Sequence, residues 1–228
     1  MQLVDDLLAC DARPTTLIVM LPGVYDKPQD FLDQGFVKAV RDRSINADVQ
    51  LADAHLGYYN NQQIVNRLHD EVMMPAKAKG YQKIWLVGIS LGGYGSMLYS
   101  MSKPGLVDGW FTMAPYMGSR EVPTEVQSQG GLQTWSSSVQ GNLDVDLWRW
   151  LKGYTQQKPD LPLAYIGFGT SDRFVKPNTL LADALPKERS FAIPGGHDWE
   201  TWLKLWAGFL DVAPLPRFDK RSSPCGAR

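Results

Sequence analysis

At 228 residues, with 44% hydrophobic and 21% charged side chains, the chain can bury one sizeable core and is too short for two comfortable ones. Its net charge of −1, with no Lys/Arg-rich run interleaved with aromatics, offers no footprint for a polyanion and excludes nucleic acid as an expected partner. Two cysteines, Cys10 and Cys225, and three histidines, His55, His69 and His197, lack the spacing of a disulfide framework or a metal site, so neither metal nor cofactor is expected.

The first residues, MQLVDD, carry two acids where a secretory leader would be positive and then apolar, and no run nears the roughly 18 apolar residues of a membrane span. The expectation is a soluble cytoplasmic protein. The alternative is a lipid anchor on Cys10, since LLAC at 7–10 has the ending of a bacterial lipoprotein leader; it requires a true N-terminus further upstream. Residues 1–14 read as an N-terminal extension. Regular structure opens with TTLIVML (15–21), apolar or β-branched throughout as a strand covered on both faces should be, and stopped by Pro22-Gly23. A helix is predicted over 30–43, a strand over 47–52, and a helix over 62–79 that Pro75 kinks or ends. The strand KIWLV (83–87), a helix from Ser90 to about 102 and a strand over 107–113 follow. From 116 to 158 the composition shifts to Ser, Gln and Gly, and strand-like runs vanish. That segment reads as a small cap inserted between core strands, holding at least one helix over 144–153. Alternation resumes with a strand over 162–168, a helix over 178–185, a strand over 189–193 and a helix over 199–210. Beyond 214 the Pro-rich, charged tail is expected to be disordered. The rhythm predicts one α/β domain over 15–213, a mostly parallel sheet flanked by helices.

The motif Gly88-Ile89-Ser90-Leu91-Gly92-Gly93 follows one of these strands and opens a helix. This is the setting of a G-x-S-x-G nucleophile elbow, where a strained serine stands clear of the sheet and the neighbouring positions lack side chains to permit close packing. Gly195-Gly196-His197-Asp198-Trp199 follows the last strand, and His197 is the only histidine after Ser90. A general base is expected there. The orienting acid should end a strand between the two, which favours Asp172 in GTSDRF over Asp160, Asp183 and Asp198. Two backbone donors are needed for an oxyanion hole. The Leu91 N–H supplies one, and the turn after the first strong strand supplies the other at Val24, or at Gly23 or Tyr25 after a one-residue shift. Tyr25, His55 and Tyr59 are candidate substrate contacts, Asp53 and Tyr58 lying beside them. Trp148 and Trp150 are too close to share a helical face, so one is expected on the core and the other toward the pocket.

With GISLGG, GTSDRF and GGHDWETW in this order, the chain resembles the α/β-hydrolase family over about 15–210, and its histidine motif is similar to that of the esterase D and feruloyl-esterase relatives. The resemblance implies a carboxylic ester hydrolase working through an acyl-enzyme on Ser90, His197 and Asp172, with a small-molecule ester as partner. A thioesterase or acyltransferase on the same triad is the alternative, and a silent hydrolase fold used for binding is a third reading. The early strands of larger relatives are abbreviated here, and substrate identity would reside in the 116–158 segment.

Overall fold

The structure, a computed structural model, describes residues 1–8 and 14–218. In chain order its elements begin with strands β1 (Leu3–Asp6) and β2 (Thr16–Leu21), helices α1 (Pro28–Asp33) and α2 (Phe36–Asp42), and strand β3 (Asp48–Ala52). Short helices α3 (Leu56–Asn60) and α4 (Ile64–Leu68) lead through a π-helical turn, His69–Met73, into α5 (Met74–Ala78). Then come β4 (Lys83–Ile89), α6 (Leu91–Ser102), β5 (Gly109–Met113), α7 (Glu121–Ser128) and α8 (Leu143–Thr155). β6 (Leu163–Gly169), α9 (Val175–Ala182), β7 (Ser190–Ile193) and α10 (Trp199–Val212) complete the order. Cys10 and Cys225, and with them the lipid-anchor alternative, lie outside the described residues. No helix among the described residues is long and apolar enough to cross a membrane.

The strands form one seven-stranded sheet in the order β1-β3-β2-β4-β5-β6-β7, parallel throughout except for β1. Strands β2, β3 and β5 are buried along their whole length, as both faces are covered. Successive residues of β5 serve opposite layers: Phe111 stacks on Phe209 of α10 with ring centroids 4.4 Å apart, and Trp110 donates its indole N–H to Tyr154 of α8 at 3.1 Å. Helix α10 buries Trp202, Leu205, Trp206, Phe209 and Leu210, the i, i+3, i+4, i+7, i+8 stripe of a surface helix.

Four expectations need correction. Residues 3–6 are no mere extension: β1 pairs antiparallel with β3, and Asp6 forms an ion pair with Arg41 of α2. The single helix over 30–43 is two, because Gly35 adopts φ +81°, a left-handed conformation that ends α1 and redirects the chain into α2. The helix over 62–79 is interrupted before its proline: a π-helical turn, His69–Met73, separates α4 from α5, and Pro75 sits in the first turn of α5, where a missing N–H is tolerated. Residues 214–218 are docked, with Leu215 buried and the Phe218 N–H donating to the Ser44 carbonyl at 2.9 Å. The rest of the expected tail, 219–228, lies outside the described residues.

Candidate active site

Ser90 sits between β4 and α6 with φ +52° and ψ −112°, the strained left-handed backbone that a sharp strand-to-helix turn imposes. Its N–H donates to the Met113 carbonyl at 2.9 Å and its own carbonyl accepts from Tyr116 N–H at 3.0 Å, which ties the turn to the end of β5. A β-carbon on Gly92 would land on the Leu21 carbonyl, and one on Gly88 on the Gly92 backbone. Only glycine permits that approach.

His197 follows β7, and its loop is held against the end of β6. The Ser171 N–H donates to the Gly195 carbonyl at 2.9 Å and the Thr170 N–H to the Ile193 carbonyl at 2.8 Å. This brings Asp172 Oδ2 to 2.7 Å from His197 Nδ1, while Nε2 on the far side of the ring lies 3.1 Å from Ser90 Oγ. The second carboxylate oxygen of Asp172 accepts from the Phe174 N–H at 2.7 Å, and the residue is 3% exposed, so its charge is held dry and fully directed. Phe174 and Trp202 meet the imidazole edge-on, with ring centroids 5.3 and 5.0 Å away. The three rival acids do other things. Asp198 caps α10 by accepting from the Thr201 N–H at 2.9 Å, a bond that holds its carboxyl below the usual aspartate range. Asp160 and Asp183 are exposed, in a turn and at the end of α9.

In front of Ser90 lies a cavity of about 350 Å³, walled by Val24, Leu91, Tyr59, Tyr94, Tyr116 and Phe174. The turn after β2 borders it: a β-carbon on Gly23 would land on the Asp26 carboxylate and lie 3.7 Å from the Ser90 β-carbon. Burial, and after it the neighbouring Asp30 charge, push the Asp26 carboxyl above its ordinary value. Among the described residues no group of three or more His, Cys, Asp or Glu is arranged to hold a metal ion.

The S-formylglutathione hydrolase FrmB of Staphylococcus aureus matches this architecture with a TM-score of 0.62 at 14% identity, over 87% of this chain and 80% of that one. Est1E of Butyrivibrio proteoclasticus matches at 0.62 and 14% identity, over 91% and 90% of the two chains. A fluorophosphonate-binding serine hydrolase of Staphylococcus aureus, FphF, matches at 0.61 and 15% identity, over 92% and 90%. The chain has the α/β-hydrolase fold. No protein-family model matches the sequence, and no curated protein matches it.

On this hydrolase fold, Ser90, His197 and Asp172 meet at the ends of β4, β7 and β6, and Leu91 and Val24 flank the same cavity. Of the expected substrate contacts, Tyr59 is in the cavity wall. The other four are elsewhere. Tyr25 is 90% exposed beyond the turn. His55 caps α3, its Nδ1 accepting from the Gly57 N–H at 3.1 Å while the ring stacks on Tyr58. Trp148 is fully buried and donates to the Met117 carbonyl at 3.0 Å, and Trp150 packs with Trp110 and Tyr154 near the opposite, N-terminal edge of β5. Trp148 is core and Trp150 is half-buried against it, both away from the site, because α8 enters at the site with Asp144 and runs away from it. From the 116–158 segment only Tyr116 walls the Ser90 cavity. The sequence reading missed Tyr94, Tyr116 and Phe174. Tyr94 had a signal, standing one helical turn after Ser90; Tyr116 had none, because a bond to the Ser90 carbonyl places it.

Proposed function

We propose that this protein is a serine hydrolase that cleaves a carboxylic ester through an acyl-enzyme. The observation that carries the reading is the relay of 2.7 and 3.1 Å from the buried Asp172 through His197 to Ser90 Oγ, on a serine whose backbone is strained and whose hydroxyl opens onto a cavity. In this reading Asp172 accepts a hydrogen bond from the Nδ1–H, which keeps the proton on that nitrogen and fixes the tautomer that leaves Nε2 as a base. His197 takes the Ser90 proton as Oγ attacks the ester carbonyl, and the Leu91 and Val24 N–H groups receive the oxyanion. Collapse of that intermediate expels the alkoxide, which collects the proton from His197. Water, deprotonated by the same imidazole, then releases the acid and restores Ser90.

The test is covalent labelling with a fluorophosphonate together with turnover of p-nitrophenyl esters. The intact protein should label and turn over, and Ser90→Ala should do neither, with kcat lower by about a millionfold. Retention of more than a few per cent of the activity by the Ala variant would remove Ser90 from the mechanism.

A further inference from the structure

The cavity at Ser90 has a neighbour on either side. Tyr59, Asn60 and Tyr94 line both it and a chamber of about 610 Å³ whose one charged lining residue is Asp144. That carboxylate is occupied, accepting from the Tyr94 hydroxyl and the Ser119 N–H at 2.7 Å each. Tyr116, Arg173 and Phe174 line both the Ser90 cavity and a second chamber of about 670 Å³, between α7 and α9. Three cations, Arg120, Arg173 and Lys176, line that chamber and no carboxylate does. Residues 120, 123, 124 and 127 present one face of α7 to it, and the acids of that helix, Glu121 and Glu125, are not in the lining. None of the three cations is in an ion pair among the described residues; Arg173 rests its guanidinium on the Phe174 ring, 5.0 Å from the centroid.

The leaving oxygen of any ester cleaved here must come within hydrogen-bond reach of His197 Nε2. Phe174, whose ring packs on that imidazole, is also a wall of the cationic chamber, which puts that chamber on the His197 side of the cavity. We propose that the chamber between α7 and α9 is a subsite for an anionic group, a carboxylate or phosphate, carried on the alcohol half of the substrate, with Arg173 and Arg120 as its specificity determinants. The proposal rests on the hydrolase reading and supplies the substrate class that reading lacks. Unpaired guanidinium groups are suited to both anions, since each offers a planar fork of donors.

The test compares 3-acetoxybenzoate with its neutral isostere 3-acetoxybenzamide, and a second ester bearing a phosphate in place of the carboxylate. The intact protein should favour the anionic esters in kcat/KM. Arg173→Gln should lower the anionic-to-neutral ratio about fivefold, and Arg120→Gln with Arg173→Gln about tenfold, the scale of one or two partly exposed charge pairs. Added salt should lower the same ratio. Preference for the carboxylate or for the phosphate ester tells which anion the subsite takes. A ratio at or below one in the intact protein, or the same ratio in the double variant, overturns the proposal. Failure of the hydrolase reading looks different: no ester turns over and no fluorophosphonate label appears. Calorimetry on Ser90→Ala then decides the subsite alone, which requires tighter binding of 3-hydroxybenzoate than of 3-hydroxybenzamide and loss of that difference in the double Arg variant.

Discussion

Two neighbouring aspartates show how environment assigns work to like side chains. Asp172 is buried at the end of β6 with both oxygens committed, one to the imidazole and one to the Phe174 N–H. Asp198, next to His197 in sequence, faces along α10 and caps it. Asp172→Asn should lower kcat about 10⁴-fold, because an amide at that position favours the wrong imidazole tautomer. Asp198→Asn should keep most of the turnover, and Asp198→Ala should cost about 1 kcal/mol in urea unfolding, the worth of an N-cap. Collapse of activity in Asp198→Asn with normal rates in Asp172→Asn would reverse the assignment. Asp26 carries a different signature. The fold raises its pKa, so its contribution to stability is full below the ordinary aspartate value and is lost as pH rises through the raised one. Asp26→Asn keeps the group neutral at every pH. The variant should therefore gain stability over the parent near neutral pH and lose that advantage near pH 3, as read from urea midpoints at the two pH values. An advantage independent of pH would mean that burial and the Asp30 charge are not its cause.

At the scale of elements, the sequence reading was accurate wherever one local signal decides. The buried strands β2, β4 and β6 announce themselves as unbroken apolar or β-branched runs, and the elbow is written in its glycines. It failed where the decisive contact is distant. β1 is four residues, LVDD, with no alternation to read; pairing with β3 makes it a strand. α3 is five residues long and carries no period. The 116–158 segment shows the same limit, since a change of composition says that a segment is different but not what it covers. Its helices α7 and α8 stand beside the cleft, and Trp148 faces inward with its indole N–H on the Met117 carbonyl. Trp148→Ala should thus lower stability by about 3–5 kcal/mol, the range for a fully buried aromatic. The preference among acyl chain lengths should stay that of the parent in whatever fraction remains folded. A shifted chain-length profile at unchanged thermal stability would return Trp148 to the pocket.

For the molecule as a whole, the fold is matched at only 14–15% identity by the hydrolases compared above, so it is carried by pattern and not by particular core residues. The candidate triad was legible because each member ends a strand that the pattern already marks; the walls of the cleft were not, because Tyr94, Tyr116 and Phe174 are assembled from three separate loops and helices. The same reasoning applies to the docked end of the chain. Composition past 214 argues for disorder, but composition does not register that the α2–β3 turn and the end of α10 leave a seam between them. Residues 215–218 fill it. Leu215 is buried, the Pro216 carbonyl accepts from the Asn46 N–H at 2.8 Å, and the Arg217 guanidinium donates to the Leu210 and Arg43 carbonyls at 2.6 and 3.1 Å. These contacts join the end of the last helix to the turn that feeds β3, so they tie the final element to the half of the sheet that starts the fold. Leu215→Ala with Arg217→Ala should lower unfolding stability by about 2–3 kcal/mol, combining a buried leucine with lost charged hydrogen bonds. The loss should appear as a shift in urea midpoint at constant slope, since the same surface is exposed on unfolding. A double variant as stable as the parent would mean that the segment merely rests on the surface, and that the seam between the α2–β3 turn and α10 is closed without it.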